Sequence, residues 1–322
     1  MTILAGLDIG GTKCAASLGR VVGDGVELLV RRAFPTPPTP EATLQRLGDA
    51  LAALIAEHAA PAAIGVSCGG PLSSRLGLVL GPPNLPGWGR VDVISPLRER
   101  FGAPAALQND ANACALAEWR WGAGRGCRTM AFLTFGTGMG AGLIIDGRLH
   151  SGVSDMAGEI GHVRLERDGP VGYGKAGSVE GFCSGGGIAQ LARAMAERAL
   201  AAGRAPAFCR TPAELEQISA QGVGEAAQAG DALALEVWRI VGEQLGRTLA
   251  ILVDLLNPER IVIGSIYGRQ RAILEPIVLR ALQSEALPIA LGACEVLPAG
   301  LGERVGDYAS LSVALHALSG ER

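Results

Sequence analysis

The apolar positions of this chain come in short runs that stop at small-residue turns. Residues 2–7 form one such run, ending in Asp8-Ile9-Gly10-Gly11-Thr12-Lys13. Residues 14–18 resume as small and apolar, and 27–30 give a third strand candidate. The Gly-Gly-Thr turn therefore joins two strands. That excludes a Rossmann fingerprint and a Walker A loop, both of which feed helices. Such a turn lets backbone N–H groups approach a phosphate closely, although an ordinary tight hairpin has the same composition. Leu44, Leu47, Leu51, Leu54 and Ile55 then recur at helical spacing and predict a helix over 41–59. Residues 63–67 read as a buried strand closing on Cys68-Gly69-Gly70-Pro71. The proline-rich stretch 82–88 excludes helix and interior strand, leaving a rigid loop that carries Asn84 and Trp88.

The pattern returns in the second half. Residues 129–134 predict a strand, Phe135-Gly136-Thr137-Gly138-Met139-Gly140 a turn, and 141–145 a further strand. Two strand–glycine turn–strand units in one chain could clasp a phosphate tail from both sides. A polar loop, 150–157, precedes Gly158-Glu159-Ile160-Gly161-His162 and a predicted strand through Leu165. Amphipathic stretches follow at about 188–202, 212–219, 222–229 and 231–256; the last is apolar on most faces and is stopped by Asn257-Pro258. Residues 261–263 predict a strand ending at Gly264-Ser265, followed by a helix over about 269–283. Strands at 288–292 and 294–297, a turn at 302–308 and a helix over 309–318 complete the reading.

Composition narrows the classes. At 322 residues, 48% hydrophobic and 18% charged, the chain has ample core for two domains. A net charge of −3 leaves no basic footprint for nucleic acid, so a bound nucleotide would depend on local dipoles and a metal ion. No apolar run has the length of a membrane span, and the N-terminus lacks a basic leader, so a cytoplasmic protein is expected. Seven scattered cysteines, with no Cys-x-x-Cys pair, argue against a disulfide framework.

The stretch Leu107-Gln-Asn-Asp-Ala-Asn-Ala-Cys-Ala-Leu-Ala-Glu118 carries the chemistry. It passes from a short strand through Gln108-Asn109-Asp110 into an alanine-rich helix. Asn109 or Asp110 could simply cap that helix. An aspartate at a strand-to-helix switch can also take a proton from a hydroxyl group at the lip of a sheet.

Together these segments resemble the ROK family of sugar kinases. The motifs are Asp8-Ile-Gly-Gly-Thr-Lys13, Gln108-Asn-Asp-Ala-Asn-Ala113, Gly136-Thr-Gly-Met-Gly140, Gly158-Glu-Ile-Gly-His162, Asn257-Pro-Glu-Arg-Ile-Val-Ile-Gly264 and Gly306-Asp-Tyr-Ala309. The resemblance implies an α/β, two-domain ribonuclease H-like fold of the actin/hexokinase type. Each domain would have a mixed central sheet flanked by helices, with the ligand cleft between domains. The expected division is 1–115 plus 305–322 against 116–304. It implies ATP, Mg²⁺ and transfer of the γ-phosphoryl group to the 6-hydroxyl of a hexose. Asp110 would be the general base. Asn84, Asn109, Asp110, Glu159, His162 and Glu180 would bind sugar. Gly10, Gly11, Thr12, Gly136, Thr137 and Gly138 would meet phosphates, with Lys13 auxiliary. Gly264 and Ser265 would face adenosine, and Asp8 would orient Mg²⁺ through water or phosphates. Glucose is the first choice of sugar, ahead of N-acetylmannosamine, N-acetylglucosamine and fructose. A homodimer is expected, with no nucleic-acid or membrane partner. A non-catalytic sugar-binding regulator and an actin- or chaperone-like ATPase are the readings of other classes.

One departure stands out. The family usually holds a structural zinc with the Gly-His histidine and three cysteines. Here Val171, Tyr173 and Ser178 stand where the thiolates would be, so no zinc is expected. The loop bearing Glu180 must then be held by packing, with Tyr173 a candidate, or be mobile.

Overall fold

A computed structural model describes residues 2–319. In chain order its elements are β1 (Ile3–Ile9), β2 (Lys13–Val22), β3 (Gly25–Pro35), α1 (Pro40–Glu57), β4 (Ala63–Cys68), β5 (Leu72–Ser73), β6 (Leu78–Val79), β7 (Val91–Asp92), α2 (Ile94–Phe101), β8 (Ala105–Asn109) and α3 (Asp110–Trp121). They continue with β9 (Met130–Phe135), β10 (Met139–Ile145), β11 (Arg148–Leu149), β12 (Val171–Gly172), β13 (Lys175–Ala176), α4 (Val179–Phe182), α5 (Gly185–Ala201), α6 (Ala220–Gln228) and α7 (Ala232–Leu256). Last come β14 (Arg260–Ile263), α8 (Ile266–Arg269), α9 (Arg271–Glu285), α10 (Pro288–Leu291), β15 (Glu295–Pro298) and α11 (Val305–Ser319). Packing divides the chain into two units. Met1–Arg128, Gly142–Ala157 and Gly300–Arg322 form the first; Thr129–Ala141 and Gly158–Ala299 form the second.

The first unit is built on a sheet of order β3-β2-β1-β4-β8, in which β1, β4 and β8 run parallel. Leu47, Leu51 and Leu54 of α1 join Leu7, Ile9, Leu18 and Val66 in its core. Thr39 starts α1 by accepting the Ala42 N–H at 3.2 Å, and Pro40 occupies the first turn, where a missing donor costs nothing. Helix α11 packs against β1 and β4, with Leu311 and Ala314 joining Leu4 and Ala63 in a common apolar cluster. A Cβ on Gly65 would stand 2.0 Å from the Ser310 carbonyl oxygen, and one on Gly6 2.3 Å from the Ser310 hydroxyl. Residues from Tyr308 to Ala314 are all buried, as expected of a helix that is apolar on every side.

Helix α3 ends on a buried acid. Glu118 is fully buried, and its carboxylate accepts the N–H groups of Ala123 at 2.8 Å, Gly300 at 3.0 Å and Leu301 at 2.9 Å. Three such bonds satisfy its acceptor oxygens and offset its loss of water.

The second sheet has the order β11-β10-β9-β14-β15, with β9, β14 and β15 parallel. The continuous apolar runs of β9 and β14 suit strands covered on both faces. In the second unit α7 is buried along most of its length, from Ala234 to Val253. Its end is a left-handed Asn257, φ 43°, with Pro258 next, the stop the sequence indicates.

Several local expectations are corrected. Residues 288–292 are not a strand: Pro288 opens helix α10. The chain after Glu159 forms a 3-10 turn, Ile160–His162, then extended backbone with one bridge, Arg164 to Ser178. Pro212–Gln217 is a 3-10 turn, too short to present an amphipathic face. The closing helix begins at Val305 because the 3-10 turn Gly302–Arg304 feeds straight into it. Helix α2 and the small sheet β5-β6-β7 were not anticipated. Among the described residues no helix is long and apolar enough to cross a membrane.

Candidate active site

Strands β1, β4 and β8 end side by side: Ile9 pairs with Cys68, and Cys68 with Asn109. Ligands of open α/β sheets gather beyond such carboxyl ends. The turn after β1 is closed by the Gly10 N–H on the Lys13 carbonyl at 3.2 Å, and the Thr36 hydroxyl donates to the Gly10 carbonyl at 2.6 Å. Gly11, Thr12 and Lys13 are exposed. A Cβ on Gly11 would stand 2.3 Å from the Asn84 carbonyl oxygen; one on Gly69, 3.5 Å from Asn84 Nδ2; one on Gly70, 3.1 Å from Asn109 Nδ2. The missing side chains thus let Asn84, Asn109 and the Gly10–Thr12 turn converge.

Asn109 does cap α3, its Oδ1 accepting the Ala111 N–H at 2.9 Å. Asp110 Oδ1 accepts the same N–H at 2.8 Å. The surface of Asp110 is open to water, while protein atoms crowd it as they would an interior group. Crowding pushes its pKa up, against the pull of the Ala111 N–H and its own N–H. Asp8 is pushed from 3.8 up to about 6, chiefly by burial; Arg31 opposes the shift and the Asp110 charge adds to it. Arg31 itself pairs with Asp307 at 2.8 Å.

In the second unit the turn between β9 and β10 is closed by the Gly136 N–H on the Gly138 carbonyl at 3.2 Å, and the Gly140 N–H donates to Thr134 Oγ1 at 2.9 Å. Thr137 sits at the tip of this turn. The first N–H of α5, at Gly185, donates to the Gly136 carbonyl at 2.8 Å. Ser265, left-handed at φ 55° and just after Gly264, lies beside the same turn: a Cβ on Gly136 would be 3.5 Å from its hydroxyl. Glu180 reaches the turn as well, its Oε2 accepting the Met139 N–H at 3.1 Å. Glu159 and His162 stand half-exposed, with Oε2 and Nε2 3.8 Å apart.

The residues at the usual zinc positions do not fit that ion. Val171 has no donor atom, and the Tyr173 ring lies edge-on to His162 with centroids 4.9 Å apart. The Ser178 hydroxyl is engaged, donating to the Lys175 carbonyl at 3.0 Å and accepting the Gly181 N–H at 3.1 Å. Among the described residues no group of three or more His, Cys, Asp or Glu side chains could hold a metal.

Two features escaped the sequence reading. Glu118 falls on the apolar, alanine-lined face of α3, and a lone acid at that spacing was the available signal. Asp155 bonds Ser74 across 81 residues, which no local pattern announces.

The sequence model of the ROK family matches residues 4–311. The chain belongs to the ROK family. Its relatives include a glucokinase of Streptomyces coelicolor, 32% identical over 286 residues and 86% of each chain. An N-acetylmannosamine kinase of Escherichia coli is 32% identical over 295 residues, 89% of this chain and 90% of that one. A ROK glucokinase from Streptomyces griseus, solved with glucose and AMPPNP, is 30% identical, covers 99% of both chains and superposes with a TM-score of 0.76. A ROK transcriptional regulator, a homologue of the Escherichia coli MLC protein, superposes at 0.85 with 24% identity over 98% of this chain and 78% of its own. At that identity the likeness shows the fold alone. The fold shared with these ROK proteins is the actin/hexokinase type.

Proposed function

We propose that this ROK protein is an ATP-dependent hexose kinase with Asp110 as its general base. The observation carrying this reading is Asp110 itself. It is a carboxyl of raised pKa beyond the ends of parallel strands, with Asn109 beside it and the Asn84 loop packed on the Gly10–Thr12 turn. A raised pKa makes a carboxylate a better proton acceptor near neutrality. The sugar 6-oxygen forms a bond to the γ-phosphorus, the bond to ADP breaks, and the hydroxyl proton passes to Asp110. Asn84, Asn109, Glu159, His162 and Glu180 are assigned the polar contacts that polyol recognition needs. Backbone N–H groups of Gly10, Gly11 and Thr12 and of Gly136, Thr137 and Gly138 serve the phosphates, with Lys13 as an outlying charge. Gly264 and Ser265 serve the nucleoside. Asp8 is the residue for Mg²⁺: a hard, half-buried oxygen donor, sufficient for an ion that takes its other ligands from phosphates and water. The ion, when bound with ATP, neutralises charge on the phosphate oxygens.

Glucose is the first substrate to test, because glucokinases are among the relatives at about 30% identity over most of the chain. N-acetylmannosamine is the second, on the kinase matched over 89% of this chain. A coupled ADP-release assay over hexoses and N-acetylhexosamines decides. Release with one sugar and not the others names the substrate. No release with any sugar, while sugar still binds, returns the protein to the regulator reading.

A further inference from the structure

The segment carrying Glu180 is ordered by its own chain. β12 and β13 pair as a hairpin, Val171 with Ala176 and Gly172 with Lys175. Its two turn residues, Tyr173 and Gly174, both have positive φ, 46° and 75°. This is a type I′ turn, which favours Asn-Gly and disfavours a bulky side chain at its first position. A tyrosine held there against its backbone preference calls for a compensating contact. The ring supplies one by lying edge-on to His162, at an interplanar angle of 77°. From the same hairpin Lys175 Nζ donates to the His162 carbonyl at 2.7 Å. The side chain and the main chain of His162 are therefore both gripped from residues 173–175.

The hairpin also seats the helix that carries Glu180. A Cβ on Gly172 would lie 2.5 Å from the Gly181 nitrogen, and one on Gly181 2.2 Å from the Pro170 carbonyl. Backbone meets backbone at Gly181, directly after Glu180. Ser178 caps α4, the Val179 N–H donates to the Val163 carbonyl at 2.9 Å, and Gln190 exchanges two hydrogen bonds with Val171.

We propose that Tyr173 is a positioning residue for His162, and that the hairpin it caps orders His162 and Glu180 without a structural metal ion. The consequence for sugar affinity rests on the kinase reading; the ring contact and the metal independence do not. Tyr173→Asn is the informative variant, because asparagine tolerates the left-handed turn and removes only the ring. Tyr173→Phe keeps the ring.

The test has three arms on the full chain. Purified protein should contain far less than one zinc per chain, with the same melting temperature before and after EDTA. Stoichiometric zinc whose removal lowers that temperature would overturn metal independence. In NMR, the ring protons of His162, assigned by His162→Gln among the four histidines, should move in Tyr173→Asn and stay in Tyr173→Phe. Unmoved resonances in Tyr173→Asn would overturn the ring contact. In the kinase assay, Tyr173→Asn should raise the sugar KM about three- to tenfold, as the loss of one aromatic pair predicts, with the KM for ATP unchanged and Tyr173→Phe near wild type. An unchanged sugar KM in Tyr173→Asn would overturn the positioning role. If the wild type phosphorylates no sugar, the kinase reading fails, and the zinc and NMR arms still decide the proposal.

Discussion

Asp155 binds Ser74 twice: its Oδ1 accepts the Ser74 hydroxyl at 2.5 Å and its Oδ2 the Ser74 N–H at 3.0 Å. The pair ties the 150–157 loop to the β5–β6 hairpin, both within the first unit. Asp155 itself is left-handed, at φ 59°. Hydrogen bonds to a charged acceptor contribute about 1.5–3 kcal/mol each at most. Asp155→Ala should therefore lower the urea midpoint, and Ser74→Ala should lower it less, because the N–H bond survives. Combining the two should add nothing beyond Asp155→Ala. Additive losses would show that the residues act independently.

Asp110→Asn keeps the size of the side chain and removes the base. Turnover should fall at least ~10²-fold, with sugar affinity by calorimetry within a few-fold of wild type. Near-normal turnover would remove Asp110 from the mechanism.

Asp8 gives activity and stability opposite pH dependences. Its folded pKa, about 6, lies above the ordinary 3.8. Its ionised form is the one assigned to the metal, so kcat/KM should fall as pH drops through about 6. For stability, a raised acid binds its proton more readily folded than unfolded. Its ionisation therefore opposes folding as pH rises from about 4 to about 6, and has no effect below that window. Asp8→Asn should thus gain stability over wild type across pH 4 to 6, read as a diverging urea midpoint, while losing activity at every pH. Parallel midpoints across that range would refute the buried-acid description.

Gly65 is where α11 touches β4. Gly65→Ala drives a Cβ to 2.0 Å from the Ser310 oxygen and 2.3 Å from the Ala314 nitrogen, both main-chain atoms that cannot swing aside. Overpacking of this kind costs about 1–3 kcal/mol. A thermal melt within a degree of wild type would show that the helix can shift at little cost.

Much of the frame was legible because glycine and proline punctuate it. The Gly-Gly-Thr turn between two strands, the leucine spacing of α1, and the Asn257-Pro258 stop after α7 are local signals with local causes. Pro288 was misread: its role at a helix start depends on four residues that have no helical period of their own. The small sheet β5-β6-β7 has two-residue strands, below the length at which alternation registers. At the site, the glycines that let Asn84 and Asn109 converge were visible as composition, but which atoms they admit was not. Glu180 shows the same limit. Its motif position was legible, whereas its bond to the Met139 N–H follows from the hairpin packing at Gly172 and Gly181.

Helix α11 lies tight against β1 and β4, its main chain meeting Gly65 and its Ser310 hydroxyl meeting Gly6, yet it is translated after the whole of the second unit. During synthesis the first-unit sheet therefore emerges from the ribosome with the faces of Gly6 and Gly65 bare, and it stays bare for more than two hundred further codons. The nascent first unit should be protease-sensitive and a chaperone client until Val305–Ser319 clears the exit tunnel, whereas the second unit, whose two segments are both complete by Ala299, can close first.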